Sequence, residues 1–178
     1  MLPLRLTKEA LQFPANAVIL ESFAARASKA SPIPAPDHPM PNPMPIDIRG
    51  LCPLLQVFDM PTSVRFYRDI VGFELVSHAP LRAPDEFGWC LLRYADGTEI
   101  MLNTAYDYGE RPDAPDPARV SAHGDTCIYF GCPDPDAAWR FLTDKGLQLK
   151  PPQVAHYGMK QLYLTDPDGF GLCFQWKA

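Results

Sequence analysis

The chain has 178 residues, a formal charge of −5 at pH 7, 47% hydrophobic residues and 21% charged residues. That length and balance describe one globular domain or a pair of small modules. An acidic chain without a Lys/Arg cluster is not built for nucleic acid or an anionic membrane, and no apolar run approaches the roughly 20 residues of a membrane span.

Residues 1–30 are weakly patterned. Within them, "NAVILESFAARASKA" predicts a short amphipathic helix capped by Asn16. Its run "AVIL" is too short for a signal-peptide core. Seven of the 21 prolines fall in residues 31–45, "SPIPAPDHPMPNPMP". Such a segment favours extended polyproline II and cannot pack a core. Residues 1–45 are therefore expected to be a disordered extension, or to lie upstream of a true start at Met40 or Met44. Five cysteines (Cys52, Cys90, Cys127, Cys132 and Cys173) make an odd set with no CxxC pair. They are expected to be free thiols in a cytoplasmic protein.

From residue 46 the chain repeats itself. "LCPLLQVFDMPTSVRFYRDIVGFEL" aligns with "TCIYFGCPDPDAAWRFLTDKGLQL". Asp59 falls on Asp134 and Arg65-Phe66 on Arg140-Phe141; with one residue deleted, Gly72 falls on Gly146. Further on, "ADGTEIMLN" aligns with "PDGFGLCFQ", so that Asp96-Gly97 falls on Asp168-Gly169. In the first copy Thr62 or Ser63 can cap a helix whose Val64, Tyr67, Ile70 and Val71 recur at helical spacing, and Gly72 ends it. In the second, Asp134 or Asp136 can cap, Ala138, Phe141 and Leu142 face inward, and Gly146 terminates. Alternation marks the strands, and "DG" before each last strand is a hairpin signal. Each half reads as βαβββ: module 1 over about residues 46–104, a Pro-rich connector over 105–122, and module 2 over 123–178. The fold class is α+β, with two modules forming a curved mixed sheet, or half-barrel, around a concave cleft and helices outside.

"VFDMPTSVRFYRDIVGFEL" and "YGMKQLYLTDPDGFGLCFQ" resemble the two ends of a vicinal oxygen chelate domain, the superfamily of glyoxalase I, extradiol dioxygenases and bleomycin-resistance proteins. The resemblance covers about residues 46–176. It implies tandem βαβββ modules around a ligand site, and often a dimer. It also implies up to four metal ligands, His or Glu in glyoxalase I-like members, on the first and last strands of each half. The repeat maps those positions onto Cys52, Met101, Cys127 and Cys173. None is His or Glu, and a thioether supplies no anionic charge to a divalent cation. A soft-metal site of three thiols and a methionine is the alternative that these residue types permit. Buried packing is the ordinary role for such cysteines, Cys90 and Cys132 included.

Parity assigns the cleft face, because alternate residues of a strand point to opposite sides. Cys52, Leu54 and Gln56 share it on the first strand; Glu99, Met101 and Asn103 on the fourth; Cys127 and Tyr129 on the fifth; Cys173 and Gln175 on the last. The opposite face is uniformly apolar: Leu55, Val57, Ile100, Leu102, Ile128, Phe130, Leu172 and Phe174. A mixed concave face suits a small molecule. Glu99 is the one carboxylate expected inside, as a ligand contact or a catalytic base. Trp89, Tyr106, Tyr108, Tyr157 and Trp176 are candidate aromatic contacts. His156 is a polar candidate at the rim, His78 is expected to be exposed, and His123 with Glu99 is the one candidate imidazole–carboxylate pair. The expected function is metal-free binding of an aromatic or amphipathic molecule by a homodimer. The rival is a lyase, isomerase or dioxygenase using a divalent metal at atypical ligands, or Glu99 as base.

Overall fold

The computed structural model describes residues 48–83, 86–95, 97–107 and 109–178. The proline-rich segment, Asn16, His38, Asp96 and Tyr108 lie outside the described residues. Residues Leu51–Ala178 form one compact unit.

The two modules follow the same order. β1 (Leu54–Val57) leads into α1 (Met60–Arg65), which continues as a π-helical stretch over Phe66–Val71. β2 (Glu74–His78), β3 (Trp89–Arg93) and β4 (Glu99–Thr104) complete module 1. The connector carries a short helix, α2 (Pro117–His123). β5 (Cys127–Gly131), α3 (Pro135–Asp144), β6 (Gln153–Val154), β7 (Met159–Thr165) and β8 (Gly171–Lys177) make module 2. The sheets are open and four-stranded, in the orders β1-β4-β3-β2 and β5-β8-β7-β6. In each, the first strand runs parallel to the last and the remaining pairs are antiparallel. The mixed α+β class and the tandem βαβββ order expected from the repeat are thus present, as two four-stranded sheets.

The aligned aspartates open the helices. Asp59 accepts the N–H of Thr62 at 3.0 Å, and Asp134 accepts that of Ala137 at 2.9 Å. The first cap is therefore Asp59, not Thr62 or Ser63; a carboxylate one turn earlier satisfies the orphan N–H groups of the helix start. The one-residue gap between the repeats also has a physical counterpart. Module 1 absorbs its extra residue as the π-helical stretch, and the Gly72 N–H bonds back to Tyr67 O, five residues earlier. Gly72 ends the helix at φ 99°, a conformation that costs other residues a Cβ clash.

The core forms where the apolar strand faces meet the helices. Leu55, Val57, Ile100, Leu102, Cys90 and Leu92 pack with Met60, Val64 and Tyr67, and are continuous with Leu142, Leu162, Leu164, Phe170 and Leu172 of module 2. Ile128, Phe130 and Phe174 pack against that cluster. Phe141 departs from expectation, standing half exposed on α3. The β7–β8 turn ties the modules together. Buried Asp168 accepts the Phe58 N–H at 2.6 Å and the Ser63 hydroxyl at 2.9 Å. Asp166 accepts the Tyr67 hydroxyl at 2.8 Å. Gly169 must be glycine: its φ is +94°, and a Cβ there would lie 2.6 Å from the Val120 carbonyl oxygen of α2.

Candidate functional site

Each sheet has one face turned away from the helix-packed cluster of the described residues, and the strand registers state which side chains lie on it. In module 1, Trp89 pairs with Asn103, Leu91 with Met101 and Arg93 with Glu99; β1 adds Leu54 beside Met101 and Gln56 beside Asn103. Trp89 (2% exposed), Leu91 (3%) and Met101 (8%) are buried, yet none belongs to the helix-covered cluster. Glu99 is engaged by Arg93, Oε1 to Nε at 2.8 Å. Asn103 Nδ2 donates to Thr104 O at 3.0 Å. Cys52 is half-buried just before β1, with its thiol directed to Pro53 O at 3.9 Å. Among the described residues, two buried side-chain polar atoms have no hydrogen-bond partner: Trp89 Nε1 and one Nη of Arg93, Nη2. A buried donor left in that state costs about 1–3 kcal/mol.

In module 2 the equivalent face is more open. Tyr129 pairs with Cys173, Tyr163 with Cys173 from the other side, and Gln161 with Gln175. Tyr129 and Tyr163 are about half exposed, and their hydroxyls meet at 3.4 Å. Tyr157 Oη donates to Gln161 Oε1 at 3.0 Å, and Gln161 Nε2 donates to Gln175 Oε1 at 2.8 Å. Edge-on to Tyr157 stands His156, ring centres 5.0 Å apart. Burial pushes the thiols of Cys127 and Cys173 up from their ordinary range, with the nearby Cys127 adding to the shift at Cys173. The Tyr129 hydrogen bond, then burial, pushes the Tyr163 hydroxyl up as well. At neutral pH the two cysteines are protonated thiols, which makes them poor nucleophiles.

The remaining sequence candidates fall elsewhere. His123 lies on α2 rather than on an extension of β5, because the Asp116 carboxylate caps a helix there by accepting the Ala118 N–H. Its ring stacks on Phe170 at 4.0 Å, and its Nδ1 is 2.7 Å from Asp168 O. The proposed partner Glu99 is with Arg93 instead. Tyr106 packs edge-on against Phe58, Trp176 covers Gly131, and exposed His78 stacks on Phe87. Sequence reading missed Leu91, Arg93, Gln161 and Tyr163. Parity on β7 would have found the last two, since Leu162 and Leu164 mark the core side.

The four mapped positions divide two and two: Cys52 and Met101 in module 1, Cys127 and Cys173 in module 2. Among the described residues, no group of three or more His, Cys, Asp or Glu side chains is arranged to hold a metal ion. A thioether and three thiols do not supply the imidazole and carboxylate ligands of the metal site that the family resemblance implies. A separate groove of about 680 Å³ lies between the modules on the helix side, lined by Phe73, Tyr94, Phe130, Cys132 and Phe141 among others. Its walls continue the core: Val71, Phe73 and Leu142 belong to both.

Two four-stranded sheets in tandem βαβββ order, each with its first strand parallel to its last, define the class of fold. The chain belongs to the Glyoxalase/Bleomycin resistance protein/Dioxygenase superfamily, whose model matches residues 50–174. Its fold is similar to that of TnmS3, an antibiotic binding protein from Streptomyces sp. CB03234, at 20% identity and TM-score 0.55 over 75% of this chain and 99% of that one. It is also similar to a bleomycin resistance determinant encoded on the transposon Tn5, at 19% identity and TM-score 0.55 over 73% and 98%. TioX from Micromonospora sp. ML1 gives 17% identity and TM-score 0.54 over 72% and 100%. No curated protein matches the chain.

Proposed function

We propose that the chain is a cytoplasmic small-molecule-binding protein that holds an aromatic or amphipathic ligand, without a metal, between the sheet faces opposite the helix-packed cluster. One observation carries the reading: Trp89, Leu91, Met101 and Cys173 are buried side chains outside the main helix-packed cluster, on faces that also carry Gln, Asn and Tyr. An apolar floor with a few polar groups is the chemistry of a ligand cleft. The antibiotic-binding description of TnmS3 and the resistance role of the Tn5 determinant support capture over conversion. The exposed aromatics of module 2, Tyr129, Tyr157 and Tyr163, support a homodimer in which a second copy closes the cleft. The chain's acidity argues against nucleic acid as partner. Among the described residues no helix is long and apolar enough to cross a membrane. An enzymatic reading through Glu99 as base has less support, since Arg93 already engages that carboxylate.

The test is a thermal-shift screen of aromatic antibiotics, thiol conjugates and dicarbonyl adducts on the full-length protein, with light scattering for its mass. A true ligand raises the midpoint with concentration, by the equivalent of about 2.7 kcal/mol at a hundredfold excess over Kd. Stoichiometric Zn, Ni, Mn or Fe in the purified protein would overturn the metal-free reading. A monomer at all concentrations would overturn the dimer.

A further inference from the structure

The repeat supplies an internal control for the helix-side groove. Beside α1 the β7–β8 turn of module 2 is docked. Asp168 accepts the Phe58 N–H at 2.6 Å and the Ser63 hydroxyl at 2.9 Å, Asp166 accepts the Tyr67 hydroxyl at 2.8 Å, and Phe170 is buried in the core. The alignment of the two modules puts Pro133, Ala138 and Leu142 at the places of Phe58, Ser63 and Tyr67, and Thr98 at the place of Phe170. Proline has no N–H to give, alanine and leucine have no hydroxyl, and threonine lacks the bulk of a phenyl ring. All four line the groove of about 680 Å³. The clasp on module 1 thus has a counterpart on module 2 without its donors and its filling ring, and the groove lies there.

Its walls narrow the chemistry of an occupant. Tyr94, Phe73, Phe130 and Phe174 form a chain of rings along the groove, successive centroids 5.5, 6.1 and 5.2 Å apart. Phe141 of α3 lines it too and is 48% exposed, whereas its repeat equivalent Phe66 is 6% exposed. A largely apolar hollow of this size is in the range of small-molecule sites. Asp134 is the one charged residue among the described lining residues. Ring faces carry the negative end of a quadrupole, so rings and a carboxylate together favour a cation over an anion. Module 1 shows what such a carboxylate holds. Asp59, aligned with Asp134, pairs with Arg111 at 2.6 Å, and the same guanidinium stands 5.6 Å from the centre of the Phe58 ring. Among the described residues no Lys, Arg or His pairs with Asp134; one of its oxygens caps α3 through the Ala137 N–H at 2.9 Å. Lys145, which is not a lining residue, stands 5.6 Å from the centre of the Phe141 ring, so that ring already serves as a face for a cation.

We propose that the groove beside α3 is a second binding site, for an organic cation whose ammonium group pairs with Asp134 and whose aryl body fills the place that Phe170 takes beside α1. The site lies on the helix side of the sheets and does not depend on the reading of their opposite faces.

Three probes of one size test it on the full-length protein at pH 7: 1-naphthylmethylammonium, the uncharged 1-naphthalenemethanol and the anion 1-naphthylacetate. Two sets of NMR signals report separately. The methyl resonances of Ala137 and Ala138 report the groove, and that of Met101 reports the opposite face of module 1. The expected result is that the ammonium probe moves both alanine signals to saturation and binds about tenfold more tightly than the alcohol, with the anion weakest. Asp134→Asn keeps a side chain able to cap α3; it should weaken the ammonium probe about tenfold and change the alcohol by less than about twofold. Phe141→Leu, at an exposed position, should weaken the ammonium probe about threefold and keeps the test open if the first variant folds poorly. An ammonium probe that binds no more tightly than the alcohol overturns the choice of a cation. Unchanged affinity in Asp134→Asn overturns the pairing with that carboxylate. If no probe moves the alanine signals, the groove is not a site and the proposal falls. Movement of Met101 alone has the same meaning for the groove, and leaves the reading of the opposite face standing.

Discussion

On the first sheet, Trp89, Leu91 and Met101 are buried outside the main helix-packed cluster; on the second, the equivalent Gln161, Tyr163 and Cys173 form a face whose Tyr129 and Tyr163 stand about half in solvent. The hairpins have the same register, so backbone geometry does not separate them. Side-chain chemistry does. Module 1 has an apolar floor with unmet donors at its ends, and module 2 has a closed polar chain from Tyr157 through Gln161 to Gln175. One duplicated frame has produced a face that lacks partners and a face that supplies its own.

The strongest way to break that comparison is to truncate the two equivalent centres. Trp89→Ala should cost about 3–5 kcal/mol in urea unfolding, the range for a buried large aromatic. Tyr163→Ala, half exposed, should cost less than about 1 kcal/mol. Equal losses would mean that Trp89 is not buried as described. A smaller effect tests the closed chain. Gln161→Leu strips Tyr157 of its acceptor and Gln175 of its donor, and should cost about 1–2 kcal/mol, recovered in part by a second change of Gln175→Leu. A double mutant no better than the single would show that the two amides are not coupled.

Which parts of this were legible in the sequence follows from the same contrast. The repeat alone aligned Asp59 with Asp134 and Gly72 with Gly146, and both pairs frame helices. Alternation on β1, β4 and β8 separated core from open face because one parity carries the apolar Leu55, Val57, Ile100, Leu102, Leu172 and Phe174 while the other includes Gln56, Glu99, Asn103 and Gln175. On β3 the run Trp-Cys-Leu-Leu-Arg is apolar at four consecutive positions, so parity had nothing to grip; only the pairing with β4 sends Trp89, Leu91 and Arg93 to the open face. The α2 helix was hidden for another reason. Its residues Pro117–His123 follow a proline-rich stretch, and the short helix rests on the Asp116 cap and on the close approach of its Val120 to Gly169, a contact 49 residues away in sequence. Long-range contacts of that kind also set the Asp166–Tyr67 and Asp168–Ser63 bonds, which no local pattern announces.

The thiols sharpen the comparison at smaller scale. Burial raises the pKa of both Cys127 and Cys173 on the module 2 face. Iodoacetamide at pH 7 should therefore modify them several-fold more slowly than it modifies free cysteine, with the rate climbing only at a pH above that at which free cysteine ionises. Mass spectrometry of the two peptides measures this. Rapid labelling at neutral pH would show a thiolate on this face and overturn the reading of both cysteines as buried, protonated thiols.

The smallest expected difference concerns what anchors each face from behind. Asp59 opens the helix that backs the first sheet, where its bonds with Thr62 and Arg111 outweigh the effect of burial and hold its carboxyl below the ordinary value of 3.8. A lowered folded pKa contributes stability that is present above 3.8 and is lost as pH falls through the folded value. Asp59→Asn should thus cost about 0.5–1 kcal/mol at pH 7, and the gap from wild type should close in acid. Asp166, in the β7–β8 turn, has the opposite sign. Burial first, with the charge of Asp168 adding to it, raises its pKa against the bonds from Tyr67 and Phe170. Its contribution is therefore complete below 3.8 and is lost as pH rises through the folded value. Asp166→Asn removes that titration, so the stability of the variant relative to wild type should rise with pH where that of Asp59→Asn falls. Urea midpoints for the three proteins between about pH 3 and pH 8 give the two slopes directly. Parallel slopes would mean that the two carboxylates sit in equivalent surroundings, and that the modules differ less behind their open faces than on them.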